Sequence, residues 1–144
     1  MGSFGLLLIR GIVGFVMFYH GAQKLFGWFG GKGIEGFLPH VPDMGIPNIP
    51  LEAWAYAAAI AEFGGGILLM IGLATRIAAL FVAATMAVAV FKVHSEAFLL
   101  PDGMEYALTL GIVALGLIFT GPGRLALDYF FRRRPADTPP PRKK

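Results

Sequence analysis

The chain has 144 residues, of which 56% are hydrophobic and only 15% charged, with a mean hydropathy of +0.68. Soluble domains carry about 25% charged residues, so this chain has more apolar surface than a water-soluble core of its size can hide, and lipid is its expected solvent. The net charge of +3 does not mark a nucleic-acid binder. It gathers in Arg132-Arg133-Arg134 and Arg142-Lys143-Lys144, a tail suited to the cytoplasmic face of a membrane. With no cysteine, the chain holds no disulfide, thiolate nucleophile or cysteine-ligated iron–sulfur cluster. Redox chemistry here needs an organic cofactor, a metal on His and carboxylate, or a partner.

A bilayer core of about 30 Å takes about 20 helical residues to cross. The first such stretch runs from about residue 4 to 28, and its apolar start reads as a span rather than a cleaved signal peptide. In it Arg10, Gly14, Met17, Gly21, Lys24 and Trp28 recur at three- and four-residue steps, with His20 and Gln23 beside them. That stripe should face protein rather than lipid. The plain alternative for Arg10 and Lys24 is snorkelling from the helix ends. A Gly- and Pro-rich loop follows at 29–51, suited to a cap or a re-entrant segment. His40 lies in it with no partner at metal-ligand spacing.

The second span, 52–73, has Glu62 as its only interior charge. It lies about ten residues in, roughly 15 Å deep by helical rise. Its face reads Ala55, Ala58, Ala59, Glu62, Gly65, Gly66, Leu69, small residues that let another helix approach and shield the carboxyl. An ionisable group at this depth marks function by default. The competing role is structural, an ion pair with Arg10 or Lys24. The run Gly64-Gly65-Gly66 is a packing surface, not a phosphate loop.

A tight turn near Arg76 leads to the third span, 76–94, which ends with Lys92 and His94. After a loop with an apolar tip at Phe98-Leu99-Leu100, the fourth span covers 104–121 and opens with Glu105 and Tyr106. All ten prolines fall outside these stretches, as expected when a helix-interior proline costs about 3 kcal/mol. Beyond Gly121-Pro122-Gly123, residues 124–131 predict a short interfacial helix, and 132–144 form a basic, Pro-rich tail. The expected fold is thus an all-α integral membrane four-helix bundle (residues 1–131) with a short C-terminal interfacial helix. Lys and Arg asymmetry puts both termini in the cytoplasm and the first and third loops outside.

His20, Gln23, Lys24, Glu62, His94 and Glu105 are expected to cluster in the outer half of the bundle. They could hold a quinone-like head group and relay protons, with Glu62 and His20 as the proton-handling pair and Gln23, Lys24, His94 and Glu105 binding the cofactor. Interface anchoring is the bland reading, favoured for Lys92 and Tyr106 singly. Shared haem ligation by His20 and His94 is disfavoured by their different depths, and neither haem nor metal is expected.

Several of these motifs resemble the DoxX family: Phe18-Tyr19-His20-Gly21-Ala22-Gln23-Lys24-Leu25-Phe26-Gly27, Ala61-Glu62-Phe63-Gly64-Gly65-Gly66, Gly72-Leu73-Ala74-Thr75-Arg76, Glu105-Tyr106-Ala107-Leu108, and Gly121-Pro122-Gly123-Arg124 followed by Leu127-Asp128. The resemblance runs from residue 6 to about residue 131. It makes His20, Lys24, Glu62, Arg76, His94 and Glu105 the shared residues. It implies a multi-pass protein of the bacterial inner membrane, similar to the small membrane subunit of thiosulfate:quinone oxidoreductase. The expected role is a quinone-binding subunit of an oxidoreductase complex, inactive alone and seated in lipid with a membrane partner or further copies of itself. The alternative is a non-catalytic accessory or assembly subunit. A small transporter is disfavoured by only four spans and no inverted repeat.

Overall fold

The computed structural model describes residues 2–44, 46–99 and 103–132. The tail at 133–144 and the loop tip at 100–102 lie outside them. The described chain is helical: α1 (Gly2–Phe26), a short turn (Trp28–Gly30), α2 (Gly33–Phe37), a second turn (Leu38–His40), α3 (Leu51–Ile71), α4 (Thr75–Val88) continuing into a π-helical turn (Ala89–Val93), α5 (Glu105–Thr120) and α6 (Leu127–Arg132).

Helices α1, α3 and the continuous segment Thr75–Val93 are each long and apolar enough to cross a bilayer, and α5 is a shorter apolar helix. With α5 they form a four-helix bundle in which α1 packs on α3, α3 on α4 and α4 on α5. Large apolar side chains stand exposed on the outer surface of every one of these helices, among them Ile12, Phe15, Ile60, Ile77, Phe81, Ile112 and Phe119. Water tolerates no such contiguous surface, so it is the face turned to lipid. The protein is an integral membrane protein.

The core mixes alanine and methionine with valine and leucine: Met17, Ala78, Ala79, Val82, Met86, Leu110, Ala114 and Leu117 among them. The closest approach is between α1 and α3. A Cβ added at Gly66 would fall 2.6 Å from the Gly14 carbonyl oxygen and closer still to the Phe18 amide nitrogen, and one at Gly21 would lie 2.6 Å from the Phe63 Cα. Only glycine allows backbones to touch in this way. These contacts fix an antiparallel register that brings the end of α1 level with the middle of α3.

The opposite end of the bundle is clasped by charge. Arg10, 1% exposed, donates to the Leu69 and Met70 carbonyls at 3.1 and 3.3 Å and to the Leu125 carbonyl. It therefore does not snorkel into water, and it does not pair with Glu62. Its acceptors include the last carbonyls of α3, where a cation complements the helix dipole. Gly72 closes that helix with φ +71° and a Schellman-type bond from Leu73 N–H to the Leu68 carbonyl at 3.0 Å. Helix α4 has no cap of its own. Instead Asp128 reaches across from α6 and accepts from the Ala74 and Thr75 amides at 2.7 and 2.8 Å. An acidic cap of this kind contributes about 1 kcal/mol.

Candidate functional site

At the loop-bearing end, the last turn of α1 delivers Lys24 to the middle of α3. Its Nζ lies 2.6 Å from each carboxylate oxygen of Glu62. Glu62 is 3% exposed, whereas the Lys24 side chain keeps 24% of its surface. The lysine therefore links the buried carboxylate to the edge of the bundle. From the other side, the segment after α1 folds back over the pair, and Phe37 of α2 places its ring centroid 4.6 Å from Nζ, a cation–π contact. The long first loop is thus a cap on the ion pair.

The cap is shaped by left-handed backbone. Phe29 has φ +55°, a conformation that costs a non-glycine residue free energy. It is held by stacking on Tyr19, with centroids 4.4 Å apart and planes 12° off parallel, and by a bond from Gln23 Nε2 to its carbonyl at 3.3 Å.

Below the cap lies a cavity of about 850 Å³ between α3, α4 and residues 37–44. A few polar residues are among those that line it: Lys24, Glu62, His40, His94 and Thr85. The rest is apolar, with Trp54, Leu68 and Val88 among the lining residues, and its rim includes Ile60, Phe81 and Ala84 on the exposed outer surface. The cavity therefore opens sideways towards lipid. His94 follows the π turn, whose wide coil is closed by its amide bonding the Ala89 carbonyl at 2.9 Å. Such turns are frequent at functional sites, and here Ala89, Val93 and His94 all border the cavity.

Of the six residues expected to share a site, Lys24, Glu62 and His94 line this cavity. The described lining residues include neither His20, Gln23 nor Glu105. His20 sits one turn before Lys24 and within electrostatic reach of both Lys24 and Glu62, but its ring is on the exposed outer face of α1. The stripe on α1 is simply narrower than its sequence suggests. Gln23 instead holds the cap and lines a smaller depression of about 320 Å³ on the loop side. Glu105 opens α5 and is half-buried. His40, by contrast, enters the site through the cap.

The fold and this site define a small multi-span membrane protein built around one buried lysine–glutamate pair beside a lipid-facing cavity. The chain belongs to the DoxX family, whose sequence model matches residues 5–95, from α1 through His94. It is 34% identical over 126 residues to the Bacillus subtilis (strain 168) protein named "Putative oxidoreductase CatD", covering 88% of this chain and 86% of that one. A Haemophilus influenzae protein named only "Uncharacterized protein" is 29% identical, over 90% of this chain and 92% of its own length. The Escherichia coli (strain K12) "Inner membrane protein YqjF" is also 29% identical, over 75% of this chain and 82% of its own length. No solved structure matches the chain.

Proposed function

We propose that this protein is a membrane subunit of a quinone-linked oxidoreductase in a bacterial inner membrane, with the head group of a quinone held at the Lys24–Glu62 end of the cavity. The observation that carries the reading is the division of the cavity's lining between a few polar groups, the Lys24–Glu62 pair among them, and a large apolar majority open to lipid. That division suits an amphipathic molecule with a polar ring and an isoprenoid tail. Its volume falls within the usual range for small-molecule pockets, about 300–1,000 Å³. The oxidoreductase name of the Bacillus subtilis relative and the inner-membrane name of the Escherichia coli relative point the same way.

A bound quinone supplies two-electron, two-proton chemistry. The chain's own residues supply the rest. Lys24 donates from an ammonium whose other contact is the Phe37 ring. Glu62 holds or accepts a proton where lipid and the small residues of α3 exclude bulk water. His94 adds a second hydrogen-bonding group on the α4 side. The electron donor sits on a partner.

The test is saturable binding of a short-chain quinone to the full chain in mild detergent. Glu62→Gln and Lys24→Met should each weaken binding by about tenfold or more, since a lost charge-assisted hydrogen bond is worth about 1.5–3 kcal/mol. His20→Ala, outside the cavity, should leave it near the wild-type value. If wild type binds none, alone or with whatever co-purifies, the oxidoreductase reading is abandoned. A stoichiometric membrane partner would then mark an accessory subunit.

We also place both termini in the cytoplasm, because Arg76, Arg124 and the basic tail fall on one side of the membrane. Single cysteines can be introduced cleanly into this cysteine-free chain. An impermeant thiol reagent on intact cells should label a cysteine at Ser95 and spare one at Thr138; the opposite pattern reverses the orientation.

A further inference from the structure

The cavity in the membrane and the smaller depression on the loop side share part of their lining. Lys24, Phe37 and His40 line both. The depression has a much larger polar share than the cavity, bordered by Gln23 and Lys32 as well as by Gly30, Gly31 and Gly33. Of the three shared residues, Phe37 carries no proton. Lys24 is engaged with both oxygens of Glu62 and with the Phe37 ring. His40 is different. It is exposed, and its Nδ1 lies 3.2 Å from the Gly36 carbonyl oxygen. A carbonyl only accepts, so Nδ1 carries the hydrogen and Nε2 is left as the basic atom of the neutral ring. The ring is held by that bond at the boundary between aqueous and membrane-facing space.

We propose that His40 is the proton-exchange residue of the site, passing protons between water in the loop-side depression and Glu62 in the cavity. The purpose assigned to it rests on the quinone reading, because proton delivery to a buried carboxyl is what quinone chemistry there requires. The step balances simply. Nε2 takes a proton from hydronium in the depression, leaving water, to give imidazolium. Through water in the cavity, imidazolium and the Glu62 carboxylate become neutral imidazole and carboxylic acid, and the Lys24 contact loosens as the carboxylate loses its charge. One proton moves inward and no electron moves. The charges that face this path are Lys24 from α1, Lys32 from the segment before α2, Glu62 from α3 and His94 after α4.

The decisive measurement needs no quinone. The purified full chain in detergent is subjected to a rapid drop in pH while the infrared band of protonated carboxyl groups is followed; the component missing from Glu62→Gln belongs to Glu62. In His40→Gln that component should rise more slowly by roughly a hundredfold, the lower end of what a positioned proton carrier contributes. Added imidazole should restore the rate. A wild-type rate in His40→Gln overturns the inference. So does a slow rate that imidazole does not rescue, which would make His40 structural, and so does a wild-type Glu62 that never protonates. Short-chain quinone binding by the same preparations is measured separately. Its absence defeats the quinone reading while leaving the proton kinetics standing, so the two failures are distinguishable.

Discussion

Lys24→Met is expected to lower the stability of the folded protein by about 3–5 kcal/mol, the usual effect of stranding one member of a buried ion pair. The carboxylate it leaves behind is 3% exposed and lies in the middle of α3, among that helix's buried alanines and glycines. No described side chain is positioned to replace the ammonium. Arg10 is the other buried cation, but it is committed to carbonyls at the opposite end of the bundle. Replacing the carboxylate as well, in Lys24→Met with Glu62→Gln, removes the stranded charge and should recover most of the loss. Thermal unfolding of the four proteins in mild detergent completes a double-mutant cycle. An unchanged midpoint for Lys24→Met would mean that the 2.6 Å pair contributes nothing to folding and is kept for function alone.

The second large effect is steric. Gly66→Ala should destabilise by about 3 kcal/mol, the upper part of the ordinary range for overpacking. The added methyl would meet the Phe18 amide and the Gly14 carbonyl, and backbone cannot rotate out of the way. Helix α1 would have to move off α3, and with it the reach of Lys24 to Glu62. Gly64→Ala, two residues earlier, is the internal control. Nothing lies within 4 Å of a Cβ there, so the substitution should be neutral or stabilise by up to about 1 kcal/mol through helix propensity. Unfolding midpoints for both, with quinone binding alongside, would show whether the helix–helix spacing sets the site. If the two variants behave alike, the close contact of α1 and α3 is not a determinant of the fold.

Much of this architecture was legible before any coordinates. Apolar runs bounded by proline signal spanning helices because lipid leaves backbone groups no partner outside a helix. The face of α3 was readable for a related reason: Ala55, Ala59, Glu62, Gly65, Gly66 and Leu69 obey the 3.6-residue period, and all are buried. Which cation meets Glu62 was not readable. Arg10 and Lys24 share a stripe on α1, and only the register set by Gly14, Gly21 and Gly66 decides between them. Nor does periodicity tell how wide a stripe is, so His20 counted as interior although it lies on the outer edge. His40 and Asp128 were hidden for a third reason. Each acts on an element far along the chain, His40 through a cap that folds back over α1 and Asp128 through amides 53 and 54 residues away. Spacing within one helix carries no trace of such contacts.

The clasp at the terminal end also has a consequence in time. Arg10 is made 115 residues before one of its acceptors, the Leu125 carbonyl, which follows α5. The amides opening α4 likewise wait for Asp128. Helices α1 and α3 can pair through their glycines as soon as both are inserted, but a guanidinium and a helix terminus stay unsatisfied until α5 has crossed and α6 has folded back. Closure of the clasp therefore follows the pairing of α1 with α3, and a chain halted before it would present a buried arginine without its full set of acceptors.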